Sequence, residues 1–217
     1  MSDNRIAVTV DDGIAHLRLT RPDKLNALDA EMVAELSRCC ARIERDSRVR
    51  VVILSGEGKA FSAGGDIDAW SDTSADEFGR HWVRDGHAAF DTLARLHQPV
   101  IAVLDGHALG GGLELAACAD MRVAEAQIRI GQPETGLGII PGWSGTQRAV
   151  RRFGAQTVRR MALFGEVFSA DQALALGLVD KVVGTGEGMA AAEVLAAQVI
   201  ARSPRATELT KMLIAMA

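Results

Sequence analysis

The chain has little positive charge to spare. Its 217 residues include 24 Lys and Arg against 28 Asp and Glu, a net charge of −4, so no overall field draws it to nucleic acid or to an anionic lipid surface. Arg38, Arg42, Arg45, Arg48 and Arg50 gather near one predicted helix. Glu44 and Asp46 lie between them, which is the pattern of a solvated face rather than of an RNA-binding one. Long apolar runs are missing too. The opening "MSDNRIAVTVDDG" has neither the basic-then-apolar order of a signal peptide nor the length to cross a bilayer, and a cytoplasmic protein without a membrane partner is expected. Cysteine is scarce: Cys39, Cys40 and Cys118 are odd in number and form no C-x-x-C, which predicts buried small side chains in a reducing compartment and no metal site.

Several glycine-rich signatures are also absent. A phosphate-binding P-loop fails at Gly58-Lys59, because Ile53 stands five residues before Gly58 and Ala60 follows the lysine. A dinucleotide fingerprint counted from Gly110 needs glycine at 115, where Leu115 stands; counted from Gly184 it meets Met189. A serine nucleophile elbow begun at Gly142 meets Thr146 in place of its last glycine. No internal repeat or low-complexity segment is visible.

What remains is a globular composition, 48% hydrophobic and 24% charged, with strand and helix patterns in alternation. Residues 6–10 and 14–20 alternate around "DDG" as a β-hairpin. A helix follows Asp29 as N-cap, with Met32, Val33, Leu36, Cys40 and Ile43 on one face. Buried strands are expected at 49–54 and 100–106, a loop at 56–65, and a helix carrying Phe78, Trp82, Phe90, Leu93 and Leu96 that stops before Pro99. The polar segment 71–77 reads as mobile. The glycine triplet at 110–112 opens another helix. Short strands are expected at 121–126 and 128–131, helices at 143–164 and 169–176, a strand at 178–183, and helices beyond 188. This order predicts an α/β domain with parallel strands and ligand sites at strand-to-helix junctions.

Two such junctions are stripped of side chains, "SAGGD" at 62–66 and "LGGGLE" at 109–114. Glycine weakens a helix or strand by roughly 0.5 to 1 kcal/mol relative to alanine, so a triplet implies a need for bare backbone. Two N–H groups aimed at one point form an oxyanion hole, on the order of 3 kcal/mol per donor in a transition state. Carboxylates stand close by in sequence, Glu114 after the triplet and Glu134 in "GQPETGLGIIPG", and paired carboxylates can move protons beside a carbonyl.

With these motifs the chain resembles the enoyl-CoA hydratase/isomerase (crotonase) family: "RPDKLNAL" at 21–28, "GKAFSAGGDI" at 58–67, "GHALGGGLELAACAD" at 106–120, "GQPETGLGIIPGWSGTQR" at 131–148 and "ADQALALGLVDKVV" at 170–183 occur in the family's order. The resemblance implies a spiral of ββα turns with outer helices over residues 1–187, a helical segment at 188–217, and assembly as a homotrimer or a dimer of trimers. It implies an acyl-CoA substrate, with coenzyme A part of the thioester and no further cofactor. Backbone N–H groups of Gly65 and Gly111 would form the oxyanion hole. Glu114 and Glu134 would hold a water between them, one activating it for attack at the β-carbon while Glu134 protonates the α-carbon. Ala63, Gly64, Asp66 and Ile67 would meet the adenine of coenzyme A; Lys24, Ala27 and Leu28 would line its pantetheine and phosphates. Gly110, Pro133 and Gly142 would complete the substrate contacts. An isomerase, decarboxylase or hydrolase of the same fold would use one carboxylate, and a silent homologue would bind coenzyme A without turnover.

Two features depart from the resembled pattern. Trp143 and Ser144 stand where small residues are expected, Trp143 as a lid on the pocket or as packing against a neighbouring subunit. Trp70, Phe78 and Trp82 pose the same choice between acyl tunnel and core, and helical spacing assigns Phe78 and Trp82 to the core. At the end of the chain, Ser203 and Pro204 start a helix with Leu209, Met212, Leu213 and Met216 in an apolar stripe, and no stop signal follows before Ala217. A shortened form, or a stripe covered by another subunit, is expected.

Overall fold

Asp12 and Gly13 reverse the chain with φ of 44° and 83°, the positive values that a two-residue turn between twisted strands requires. On either side β1 (Ile6–Asp11) and β2 (Ile14–Leu19) pair antiparallel, and Ala15, Leu17 and Leu19 point into the core. A computed structural model of the chain describes residues 5–71 and 73–216. Asp29 caps α1 (Ala30–Arg45) by accepting the Met32 N–H at 2.9 Å. The helix buries Met32, Val33, Leu36, Cys39, Cys40 and Ile43, the face its spacing predicts.

Next come β3 (Val51–Gly56), β4 (Ala60–Ser62), α2 (Ile67–Trp70) and α3 (Ala75–Glu77). A π-helical stretch, Phe78–Val83, continues into α4 (Arg84–Ala94). The chain proceeds through β5 (Val100–Leu104), β6 (His107–Leu109), α5 (Gly111–Ala116), β7 (Met121–Glu125) and β8 (Arg129–Gly131). It closes with α6 (Gln147–Phe153), α7 (Ala155–Phe164), β9 (Val167–Ser169), α8 (Ala170–Ala175), β10 (Lys181–Val183), α9 (Gly188–Ile200) and α10 (Pro204–Met216).

Successive strands go to different sheets. One sheet has the order β1-β2-β3-β5-β7-β10 and the other β4-β6-β8-β9, so β3–β4, β5–β6 and β7–β8 are three turns of a spiral. From β2 to β10 the large sheet is parallel. Such a sheet is covered on both faces and its strands are continuous apolar runs, as "VVIL" and "VIAVL" are here. One face packs Val52, Leu54, Ala102 and Leu104 into the main core with Phe61 and Phe90. On the other, α9 sets Ala192 and Ala196 against Val51, Ile53, Ile101, Val103 and Val123, so the C-terminal helical segment shares a core with the spiral. No described residue of α10 is buried; Ala217 lies outside the described residues.

Several expectations need correction. The segment expected as a loop at 56–65 contains β4, and β6 and β9 are further strands: each of the three is three residues long, too short to show a period of two. The helix at 143–164 is two helices, because residues 143–146 are not helical and Gly154, at φ 81°, separates α6 from α7. The strand at 178–183 is confined to Lys181–Val183. In the polar segment 71–77, Ser74 accepts the Glu77 N–H and starts α3; Asp72 lies outside the described residues.

Helix α5 lies close on β4. A Cβ at Gly112 would come within 2.2 Å of the Ser62 carbonyl oxygen, a rigid backbone atom. Gly112→Ala is therefore expected to lower stability by about 1–3 kcal/mol, read as an earlier urea midpoint. An unchanged midpoint contradicts the close approach.

Candidate functional site

Parallel pairing of β4 with β6, Ala60 beside His107 and Ser62 beside Ala108, sends both strands out at the same end of the sheet. The bare segments that follow therefore meet. A Cβ at Gly64, where φ is +99°, would sit 3.0 Å from the Gly111 nitrogen. Leu28 pairs with Gly65 as a parallel bridge: the Leu28 N–H donates to the Gly64 carbonyl and the Asp66 N–H to the Leu28 carbonyl, both at 2.8 Å. In such a ladder the residue between the two bonds turns its own N–H away, and Gly65 is that residue. Gly110 donates its N–H to the Gly131 carbonyl at 2.9 Å, while Gly111 opens α5 among the first-turn amides that have no helical partner. Neither the Gly65 nor the Gly111 N–H has an acceptor among the described residues.

Each glycine of the triplet faces a different neighbour. A Cβ at Gly110 would stand 3.1 Å from Glu134 Oε1; at Gly111, 3.0 Å from the Trp143 ring; at Gly112, against Ser62.

The two carboxylates are buried, Glu114 3% and Glu134 7% exposed, and their surroundings differ. Glu114 Oε1 accepts the Trp143 N–H at 2.7 Å and the Gly145 N–H at 2.6 Å. Two amides with one residue between them converge on one oxygen because Ser144 adopts φ 79°, a left-handed conformation uncommon outside glycine. The result is a small anion-binding nest. Ser144 Oγ lies 3.3 Å from the His87 ring. Glu134, at the start of the 3-10 turn Glu134–Leu137, has neither carboxylate oxygen hydrogen-bonded. Burial pushes the Glu114 carboxyl up to about 7; the neighbouring Glu134 adds to the rise and the two backbone N–H groups oppose it. Burial also raises Glu134.

Both carboxylates and both unpaired amides line one cavity of about 320 Å³. Of the residues singled out from sequence, Ala63, Gly64, Ile67, Gly110, Pro133 and Gly142 line it as well. Four do not. Lys24 pairs with Asp68 at 3.3 Å, the Ala27 carbonyl accepts from Arg21, the Leu28 side chain is in the core, and Asp66 caps α2 while pairing with Arg21 at 2.6 Å. A larger cavity of about 700 Å³, between α1 and residues 69–88, contains neither the bare glycines nor the carboxylate pair.

The chain has three tryptophans and no tyrosine, and Trp70, Trp82 and Trp143 all line the 320 Å³ cavity together with Phe78. Phe78 and Trp82, expected in the core, sit in the π-helical stretch, where the α-helical period does not apply; Trp82 also packs on the core edge. Trp143 is 3% exposed and packs inside its own chain against Trp82 and Phe90. Sequence reasoning missed the amides of Trp143 and Gly145 that hold Glu114, and the apolar contacts of Val83, Leu137, Ile139 and Ile140. Glycines on both sides of "WS" were the one available signal for those amides. His107 is exposed and accepts the Arg129 N–H, outside the cavity.

Comparison with known proteins gives the family of the chain. Residues 9–216 match the model of the enoyl-CoA hydratase/isomerase family. The short-chain-enoyl-CoA hydratase of Clostridium acetobutylicum is 39% identical over 215 residues, 99% of this chain and 82% of the relative. The crotonyl-CoA hydratase of Syntrophomonas wolfei is 35% identical over 97% of this chain and 81% of its own length. Among solved structures, an enoyl-CoA hydratase from Bacillus anthracis superposes with a TM-score of 0.94 at 34% identity, covering 98% of this chain and 83% of that one.

The raised Glu114 carboxyl has a consequence for stability. An acid whose folded value lies above its unfolded one favours the fold while protonated and loses that contribution as pH rises. Between the ordinary 4.5 and about 7, wild type should therefore lose stability relative to Glu114→Gln, on the order of 3 kcal/mol in all. Thermal melts of both proteins from pH 4.5 to 8 check this; parallel curves contradict the shift.

Proposed function

The chain belongs to the enoyl-CoA hydratase/isomerase family, and from that premise we propose that it adds water across the 2,3 double bond of an enoyl-CoA thioester. The observation that carries this reading is the buried pair Glu114 and Glu134 on the same cavity as the unpaired amides of Gly65 and Gly111. The thioester oxygen accepts from both amides. Their donors are fixed in place by the sheet and by α5, so they stabilise the charge that grows on that oxygen without reorganising.

Glu114, held through Oε1 by two amides, keeps Oε2 to receive a proton from water as the water oxygen bonds to C3. Electrons of the double bond move toward the carbonyl and give an enolate. Glu134, whose carboxyl burial raises, is the acid and delivers its proton to C2. Hydroxyl at C3 and hydrogen at C2 sum to one water; Glu114 ends protonated and Glu134 ionised, and exchange through the next water resets them. The pair carries one negative charge throughout, which is the state favoured by two buried carboxyls whose values are both raised. An isomerase moves a single proton between C2 and C4 with one carboxylate, and the second buried carboxylate then has no task; the pair favours hydration. These steps use only protein groups, the thioester and one water.

Among the described residues no helix is long and apolar enough to cross a membrane. Three buried free thiols support a cytosolic location. Exposed Leu209, Met212, Leu213 and Ile214 on α10 support assembly with further copies, as a trimer or a dimer of trimers, which sedimentation reads directly.

Loss of the conjugated absorbance of crotonyl-CoA measures the reaction. Glu114→Gln and Glu134→Gln should each lower kcat by about 10²-fold or more with little change in coenzyme A binding. Near-full turnover in either variant contradicts the two-carboxylate mechanism. Gly111→Ala sets a methyl against the Trp143 ring and 3.3 Å from the Gly64 Cα and should cost about 2–4 kcal/mol in kcat/KM; a wild-type rate moves the oxyanion hole elsewhere.

A further inference from the structure

We propose that Trp143 is the end wall of the acyl cavity and restricts the enzyme to short acyl chains, an inference that rests on the hydratase reading above. Its six-membered ring faces both glycines: Cζ3 and Cε3 lie 3.0 and 3.1 Å from where a Cβ of Gly111 would be, and Cη2 lies 3.9 Å from the corresponding point at Gly65. An acyl chain whose carbonyl is held between those two amides meets the indole within a few carbons.

The ring is not free to swing aside. Its N–H donates to the Trp82 carbonyl at 3.2 Å, and its faces and edges are held by Trp82 at 4.9 Å and Phe90 at 5.1 Å between centroids. Space for it is cleared by Gly86, buried inside α4, where a Cβ would come within 2.2 Å of the indole nitrogen. Glycine is a poor residue for a helix interior, and here it has a partner that requires it. The indole and the helix glycine are a matched pair, and the roughly 320 Å³ beside them must also take the thioester.

The test compares kcat/KM for trans-2-enoyl-CoA esters of four, six, eight and ten carbons. Wild type should fall at least ~10-fold from four carbons to eight, the scale on which a closed apolar pocket discriminates added methylenes. Trp143→Ala keeps the backbone amide that holds Glu114 and should raise the eight-to-four ratio by ~10-fold or more; Trp143→Phe should move it the same way by less. Gly86→Ala, which touches no substrate, pushes the indole into the cavity and should lower the six-to-four ratio. A wild-type profile that does not fall, or a ratio unmoved in both Trp143 variants, overturns the proposal. A second readout is independent of turnover: butyryl-CoA and octanoyl-CoA binding by quenching of the three cavity tryptophans. Weaker octanoyl-CoA binding that Trp143→Ala or Trp143→Phe relieves supports the wall even if no ester is hydrated, in which case the hydratase reading alone fails. Equal affinities in wild type overturn the wall whatever the turnover.

Discussion

The parallel pairing of β4 with β6 is the constraint on which the site depends. The pairing shifts by one residue between Ala60, beside His107, and Ser62, beside Ala108, and the two segments that leave those strands are brought to van der Waals contact at Gly64 and Gly111. Side chains at that crossing would hold the backbones apart. Their absence lets two amides from segments nearly fifty residues apart point into one cavity while each remains part of a rigid element, Gly65 through its bridge to Leu28 and Gly111 through α5.

The carboxylates follow from the same geometry. Helix α5 starts at the crossing, so Glu114 is carried one turn in, onto the lining of the cavity and almost wholly out of bulk solvent. A buried carboxylate needs hydrogen-bond donors, and the left-handed Ser144 turns the N–H groups of its two neighbours, Trp143 and Gly145, onto Glu114. Glu134 enters from the next turn of the spiral, after β8, into the space left by Gly110, where no other residue's donor reaches its carboxylate. The two carboxyls, both raised by burial, thus differ by position in the donors they meet.

Much of this was legible in the sequence. Both bare segments, both carboxylates, the hairpin, α1 and the buried strands of the large sheet are written in residue type and spacing, because each is long enough to show a period or is marked by glycine. The small sheet was not legible: its strands are three residues long, and pairing between distant segments is a tertiary fact. Nor was the role of Phe78 and Trp82, since spacing assumes an α-helix and the chain there winds as a π-helix. Trp143 could be singled out as unusual but not placed. Its position depends on Gly86, 57 residues earlier in the chain, whose missing side chain gives no local signal. Lys24, Ala27, Leu28 and Asp66 stand beside the cavity rather than on it, in ion pairs, helix capping and core packing.

On the mechanism proposed above, two fixed amides polarise a thioester carbonyl in this cavity. A conjugated short ester, 2,4-hexadienoyl-CoA, reports that polarisation directly when mixed with Glu134→Gln, which retains the amides but lacks the acid that completes turnover. The absorption band of the bound ester should move to longer wavelength than in water, and the shift should be lost in the Gly111→Ala, Glu134→Gln double variant. A bound ester whose band stays at its position in water would contradict that mechanism.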